Sequence, residues 1–204
     1  MAVFEQITII GMGLIGSSIA RAVRENNVAD RLTGCDSNEA HCATALRLKL
    51  VDDMGTDPAK AVKNSDLVIL ATPVGTYGDI GRIICPEMKP GAILTDVGSV
   101  KASVAKSLSP FMREDCHLIP GHPVAGTEQS GPDAGFANLF TGRWCILTPP
   151  EDVDPHRLKK LEKFWQALGS KIEYMTPEHH DMVLAITSHL PHLIAYNIVG
   201  TARH

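Results

Sequence analysis

The chain has 204 residues, of which 44% are hydrophobic and 21% charged, ordinary globular proportions that exclude a disordered or fibrous protein. That length gives one full domain and the beginning of a second. Nineteen basic against 23 acidic side chains leave a net charge of −4, which speaks against nucleic acid as a partner, and no apolar run approaches the ~18 residues of a membrane span.

Short β-like runs alternate with helical patterns along the chain. Ile7–Ile10 reads as a strand by its β-branched content, and Ile15–Glu25 as a helix. Arg31–Cys35 is a second strand, followed by a helix over Glu39–Leu50. Leu67–Ala71 is continuously apolar, the mark of a strand covered on both faces. Further strands are predicted at Ala92–Thr95, His117–Ile119, Trp144–Thr148 and Lys171–Tyr174, with Val100–Leu108 as a helix. Between the last two strands, Leu158, Leu161, Phe164, Trp165 and Leu168 recur at helical spacing, with Arg157, Lys159, Lys160 and Lys163 on a solvated face. The alternation predicts an α/β fold with a mostly parallel sheet.

Two stretches break the rhythm. Pro120–Gly142 holds too many glycines and prolines for a long helix or strand, and reads as a functional loop. From Asp181 onward the apolar residues cover more than one helix face, and Pro191 should kink that helix. A second, helical domain is therefore expected to begin at residue 177, after a first domain of residues 1–176.

The five cysteines are odd in number and include no CxxC pair, so neither a disulfide framework nor a structural zinc site is expected. Cys35, Cys85, Cys116 and Cys145 sit in apolar runs and read as small buried hydrophobes. With no basic, apolar leader at the N-terminus, the expected location is cytoplasmic.

Gly11-Met12-Gly13-Leu14-Ile15-Gly16 fits G-x-G-x-x-G between a strand and a helix, and Asp36 stands twenty residues after Gly16 at the end of the second strand. That context makes the loop a dinucleotide-binding fingerprint and the fold Rossmann-type. Gly11 permits the tight turn, Gly13 lets the backbone approach a pyrophosphate, and Gly16 lets the helix pack against the strand. Leu14 and Ile15 open the helix, whose N-terminal N–H groups favour an anion. Asp36 would hold the ribose hydroxyls and repel a 2′-phosphate, and no arginine follows it, so NAD is expected rather than NADP. Thr72 and Pro73, at the end of the Leu67–Ala71 strand, should line the same crevice.

Four segments, taken in order, resemble the prephenate dehydrogenases, a group that includes cyclohexadienyl and arogenate dehydrogenases. They are the glycine loop, Asp96-Val97-Gly98-Ser99-Val100-Lys101, Gly121-His122-Pro123-Val124-Ala125-Gly126-Thr127-Glu128, and Ser188-His189-Leu190-Pro191-His192. The resemblance implies NAD-dependent oxidative decarboxylation of a small molecule, prephenate or arogenate, in tyrosine biosynthesis. It implies that His122 is the catalytic base, that Ser99 shares the substrate hydroxyl, and that His189, Glu128 and Thr127 meet the substrate. It further implies a homodimer formed through C-terminal helices of which this chain holds only the first, with the main carboxylate-binding arginine beyond residue 204. His189 and His192, with His179 and His180 upstream, are not expected to bind metal, because no carboxylate or cysteine completes a ligand set at useful spacing. Two other readings stand beside this one. One is a different NAD-linked dehydrogenase with a lysine base, for which Lys101 and Lys171 are available although neither sits in the motif of that group. The other is a dinucleotide-binding module without catalysis.

Overall fold

The computed structural model describes residues 2–189, 191 and 194. Six strands form a wholly parallel sheet: β1 (Phe4–Ile10), β2 (Ala29–Cys35), β3 (Asp53–Gly55), β4 (Leu67–Leu70), β5 (Ile93–Asp96) and β6 (His117–Leu118). Their spatial order is β3-β2-β1-β4-β5-β6, which is the doubly wound Rossmann order. The crossovers are α1 (Leu14–Glu25), α2 (Glu39–Arg47), α3 (Pro58–Val62), α4 (Tyr77–Ile84) and α5 (Ala102–Leu108).

Burial on both faces follows from the side-chain alternation of a strand. In β4, Leu67 and Ile69 enter one hydrophobic cluster, whereas Val68 and Leu70 enter the cluster on the opposite face. In β1, Ile7 and Ile9 join the first cluster and Ile10 the second. Two of the crossover helices start at side-chain caps. Asn38 accepts from Ala40 N at 2.9 Å at the head of α2, and Asp57 accepts from Ala59 N at 3.1 Å at the head of α3.

Beside the parallel sheet expected from the sequence lies a second, smaller one. After β6, the strands β7 (Gly121–Pro123), β8 (Trp144–Leu147) and β9 (Lys171–Tyr174) form a separate three-stranded sheet, with β7 antiparallel to β8 and β9 parallel to it. Pro120 and Pro123 lack the N–H that a ladder needs, so the chain cannot simply extend β6. Pro120 O instead accepts from Thr148 N at 2.9 Å, which starts the second ladder. The loop expected over Pro120–Gly142 therefore opens with a strand. Its remainder makes two 3-10 turns, Pro132–Ala134 and Ala137–Phe140, the second of which buries Leu139 and Phe140.

Helix α6 (Pro155–Ala167) begins at the Asp154 cap with proline in its first turn, and joins the two sheets. Phe164 meets Phe4 of β1 edge-on at 6.1 Å, and Trp165 meets Phe140 at 5.6 Å. Of the basic residues expected on a solvated face, Lys159 pairs with Glu162 at 2.9 Å and Lys160 lies over the Phe4 ring at 4.4 Å.

Helix α7 (Pro177–Leu184) starts four residues earlier than Asp181, because Thr176 caps it by accepting from His179 N at 3.2 Å. It then widens into a π-helical turn, Ala185–His189. Pro191 follows, and a proline ring clashes with the carbonyl four residues back, here Thr187, so the extra residue relieves that crowding. Leu184 is buried, while Met182 and Ile186 are 56% and 62% exposed. The expectations for Leu190, His192, Leu193, Ile198 and Val199 fall outside the described residues. Among the described residues, no helix is long and apolar enough to cross a membrane.

Trp165 is fully buried between Phe140 and Phe164, and its indole nitrogen has no hydrogen-bond partner. Trp165→Ala should therefore lower the unfolding free energy by about 3–5 kcal/mol. Trp165→Phe should cost much less, because it keeps a ring and removes the unsatisfied N–H. Urea unfolding followed by circular dichroism measures both.

Candidate active site

The strand order reverses between β1 and β4, and the loops that follow their C-terminal ends frame a crevice. Gly11 turns there with φ of +97°, and its N–H donates to Cys35 O at 2.7 Å. A Cβ at this position would stand 2.7 Å from the Ala71 carbonyl carbon. One on Gly16 would collide with the carbonyl oxygen of Gly11, so close helix–strand packing is real at that glycine. Gly13 differs: nothing lies within 4 Å of the position its Cβ would take. Helix α1 carries no acidic side chain in its first turn and no side-chain cap. Leu14 is buried and Ile15 half-buried, so these two contribute backbone at the loop and side chain to the interior.

Asp36 accepts Met12 N at 2.7 Å through one oxygen and Asn38 N at 2.9 Å through the other. The first oxygen also lies 3.2 Å from His41 Nδ1. The carboxylate expected to read a ribose thus also fixes the glycine loop. Thr72 and Pro73 follow β4 into the crevice, where the Thr72 hydroxyl pairs with that of Thr76 at 2.9 Å. The open backbone at Gly13, the uncapped and acid-free helix end and the carboxylate at the end of β2 fit an adenine dinucleotide.

The chemistry-bearing residues gather one strand along. Asp96 ends β5, and Lys101 follows on the turn into α5; both side chains are fully buried and form an ion pair. Lys101 Nζ also donates to Gly121 O at 2.7 Å. Asp96 accepts Gly98 N at 2.8 Å and Gly121 N at 3.1 Å. The pair therefore ties the Ser99 turn to β7, on which His122 is the next residue. Ser99 itself is exposed at that turn.

His122 is 8% exposed. Its Nδ1 lies 2.9 Å from His180 Nε2, and the two rings meet edge-on with centroids 5.1 Å apart. His180 Nδ1 lies 2.8 Å from Asp181 Oδ1. Asp181 also accepts the N–H groups of Lys101 at 2.7 Å and Ala102 at 3.0 Å, at the head of α5. Burial pushes the His180 pKa below the ordinary imidazole value, outweighing the pull of Asp181. Burial opposes ionisation of Asp181 too, but His180 and the two backbone N–H groups overcome it and hold the carboxyl below the usual range.

Thr127 and Glu128 are exposed on the loop after β7, where the Thr127 hydroxyl accepts from Gln129 N at 3.2 Å. His189 ends the π-helical turn, and its side chain falls outside the described residues. The two lysines weighed as alternative bases are otherwise engaged: Lys101 by Asp96, and Lys171 over the Trp144 ring at 5.7 Å. The sequence reading gave His180, Asp181 and Asp96 no role at the site, and weighed Lys101 only as a base. His180 lies 58 residues from His122, so only the fold joins them.

A neutral, buried His180 has a signature in stability. Its folded pKa is depressed, so below the unfolded imidazole value of ~6.5 the unfolded chain binds a proton that the folded chain resists. Stability should therefore fall as pH drops from about 6.5 toward the folded value. Urea midpoints measured at steps from pH 7.5 to 5.0 should show this decline, and His180→Gln should show less of it.

Residues 19–174 match the family model of the prephenate dehydrogenase nucleotide-binding domain, and residues 176–204 match that of the prephenate dehydrogenase dimerization domain. The glycine loop precedes the first match, so its assignment rests on the geometry above. The cyclohexadienyl dehydrogenase of Zymomonas mobilis is 42% identical over 98% of this chain and 68% of its own length. The prephenate dehydrogenase of Bacillus subtilis is 32% identical, and this chain spans only 54% of it. Among solved structures, Aquifex aeolicus prephenate dehydrogenase in complex with hydroxyphenyl propionate and NAD+ superimposes with a TM-score of 0.90 at 35% identity, covering 97% of this chain and 68% of that one. Synechocystis arogenate dehydrogenase gives 0.86 at 34% identity, with 96% and 68% covered. With the nucleotide-binding model matched over most of its length, this chain belongs to the prephenate dehydrogenase family.

Proposed function

We propose that the protein catalyses the NAD-dependent oxidative decarboxylation of prephenate, or of its amino counterpart arogenate. The product is 4-hydroxyphenylpyruvate or tyrosine. The observation that carries this reading is the placement of His122 on β7, tied through Gly121 to the buried Asp96–Lys101 pair at the end of β5 and beside the Ser99 turn. The family relatives support the substrate class, since their names cover both prephenate and arogenate.

Bound at the glycine loop, NAD+ supplies a hydride acceptor. Gly11, Gly13, Leu14, Ile15 and Gly16 would offer backbone to the pyrophosphate, Asp36 would take the ribose hydroxyls, and Thr72 and Pro73 would border the crevice. The protein's own chemical task is small, because the product ring is aromatic and its formation drives the reaction. His122 accepts the proton of the ring hydroxyl as the C–H electron pair leaves. Ser99 hydrogen-bonds the same hydroxyl and holds its orientation. The ring carboxylate departs as CO2, the pair from its C–C bond completes the aromatic ring, and the proton held by His122 returns to the resulting phenolate oxygen. Thr127 and Glu128 stand at the mouth of the site, and His189 is assigned to the substrate carboxylates.

Assembly as a homodimer through the C-terminal helical part is supported by the dimerization-domain match and by the exposed Met182, Ile186 and Ile194. A cytoplasmic location is supported by five free cysteines, four of them buried.

Two measurements test this reading. Calorimetric titration should give tighter binding of NAD+ than NADP+, and Asp36→Ser should narrow the difference; equal affinity in the parent protein would contradict the assignment of Asp36. His122→Asn should keep NAD+ affinity and lose turnover on the order of 10²–10⁴-fold, the range of a general base. An unchanged rate would remove His122 from the mechanism.

A further inference from the structure

We propose that Asp181 and His180 are positioning residues that lock His122 in one tautomer, with its proton on Nδ1 and its lone pair on Nε2. The proposal rests on His122 as the base, and adds what sets that base before substrate arrives.

The donor directions are set inward from the carboxylate. Asp181 already accepts two backbone N–H groups, from Lys101 and Ala102, and as an ionised carboxylate it can only accept. At 2.8 Å from it, His180 Nδ1 must therefore be the donor. His180 is fully buried, with the Lys101 ammonium and the Asp96 carboxylate among the charges around it. A second proton on this ring would be a buried charge, and burial disfavours it. A neutral ring with hydrogen on Nδ1 has only a lone pair on Nε2. His122 Nδ1, 2.9 Å away, must then donate to it. A neutral His122 that donates from Nδ1 carries its lone pair on Nε2, the nitrogen remote from the pair. The direction of every bond in Asp181–His180–His122 follows from the one group that cannot donate.

The arrangement does two things at once. The carboxylate that sets the tautomer also caps α5, whose preceding turn presents Ser99. The hydroxyl and the base assigned to the same substrate oxygen are thus registered to one side chain. That side chain belongs to α7, at the head of the segment matched to the dimerization domain. A wrong tautomer would place N–H where a lone pair is required, and a mis-set imidazole costs a general base most of its rate.

The test begins with the protein as it is and needs no turnover. With histidine nitrogens labelled by 15N, NMR at pH 7.5 should show His122 Nδ1 as protonated, Nε2 as unprotonated, and a scalar coupling across the hydrogen bond between His122 Nδ1 and His180 Nε2. A proton on His122 Nε2, or no coupling between the two nitrogens, overturns the proposal even if the protein is an active dehydrogenase. In the enzyme assay, His180→Phe should lower kcat about 10–100-fold, as loss of a partner that orients an imidazole does, with substrate KM and NAD+ affinity little changed. His180→Gln, whose amide oxygen can accept from Nδ1–H, should recover part of that loss. Equal kcat in the Phe variant and the parent overturns the positioning role.

Discussion

The ion pair between Asp96 and Lys101 is the constraint on which the site depends. Neither side chain reaches solvent, and desolvating two charges costs more than their attraction returns unless every remaining valence is filled. Here backbone groups supply the further partners: Gly98 N and Gly121 N on the carboxylate, and Gly121 O on the ammonium. Those bonds join the end of the parallel sheet to the first strand of the smaller one. Without them, the ladder holding β7 is its pairing with β8, and β7 carries a proline at its end and another just before it. Apolar replacements of similar volume could fill the same space, but they could not fix where Gly121 sits. The pair thus specifies geometry rather than adding stability, and the geometry it specifies is the register of His122 against the Ser99 turn.

A second tie runs across the nucleotide helix. The loop that leaves β7 carries Thr127 and Glu128, then folds onto α1: Phe136 N donates to Ser18 Oγ at 3.1 Å, Arg21 reaches Pro132 O at 3.4 Å, and Arg47 pairs with Asp133 at 2.9 Å. The last is exposed and contributes little by itself. The backbone bond to Ser18 is the stronger anchor, and it lies one turn from the glycine loop. The segment assigned to the substrate is therefore packed against the helix assigned to the cofactor, so the two half-sites are built as one unit.

Much of this was legible in the sequence, for physical reasons particular to each element. The strand at Leu67–Leu70 could be read because burial on both faces demands an unbroken apolar run. The glycine loop could be read because three distinct close approaches require glycine at fixed spacing, and two of those approaches are visible at Gly11 and Gly16. What could not be read was pairing at long range. Nothing local marks His180 as the partner of His122, since a histidine beside an aspartate at the start of a helix is an ordinary surface pattern. The second sheet was hidden for a related reason: β7 has three residues, one of them proline, too short to show a period. The helical start expected at residue 177 could be read although the apolar pattern begins only at Asp181, because Thr176 and Pro177 form a cap followed by a first-turn proline.

In the proposed reaction, oxidation of a ring alcohol is coupled to loss of a ring carboxylate. The direct measurement is the stoichiometry of NADH and CO2 formed when the protein is given NAD+ and prephenate, followed by NADH absorbance and by trapping of the released carbon. The account predicts equal amounts of the two, formed together, and an aromatic product. NADH formed without CO2, or no NADH in a protein that binds NAD+, would contradict it.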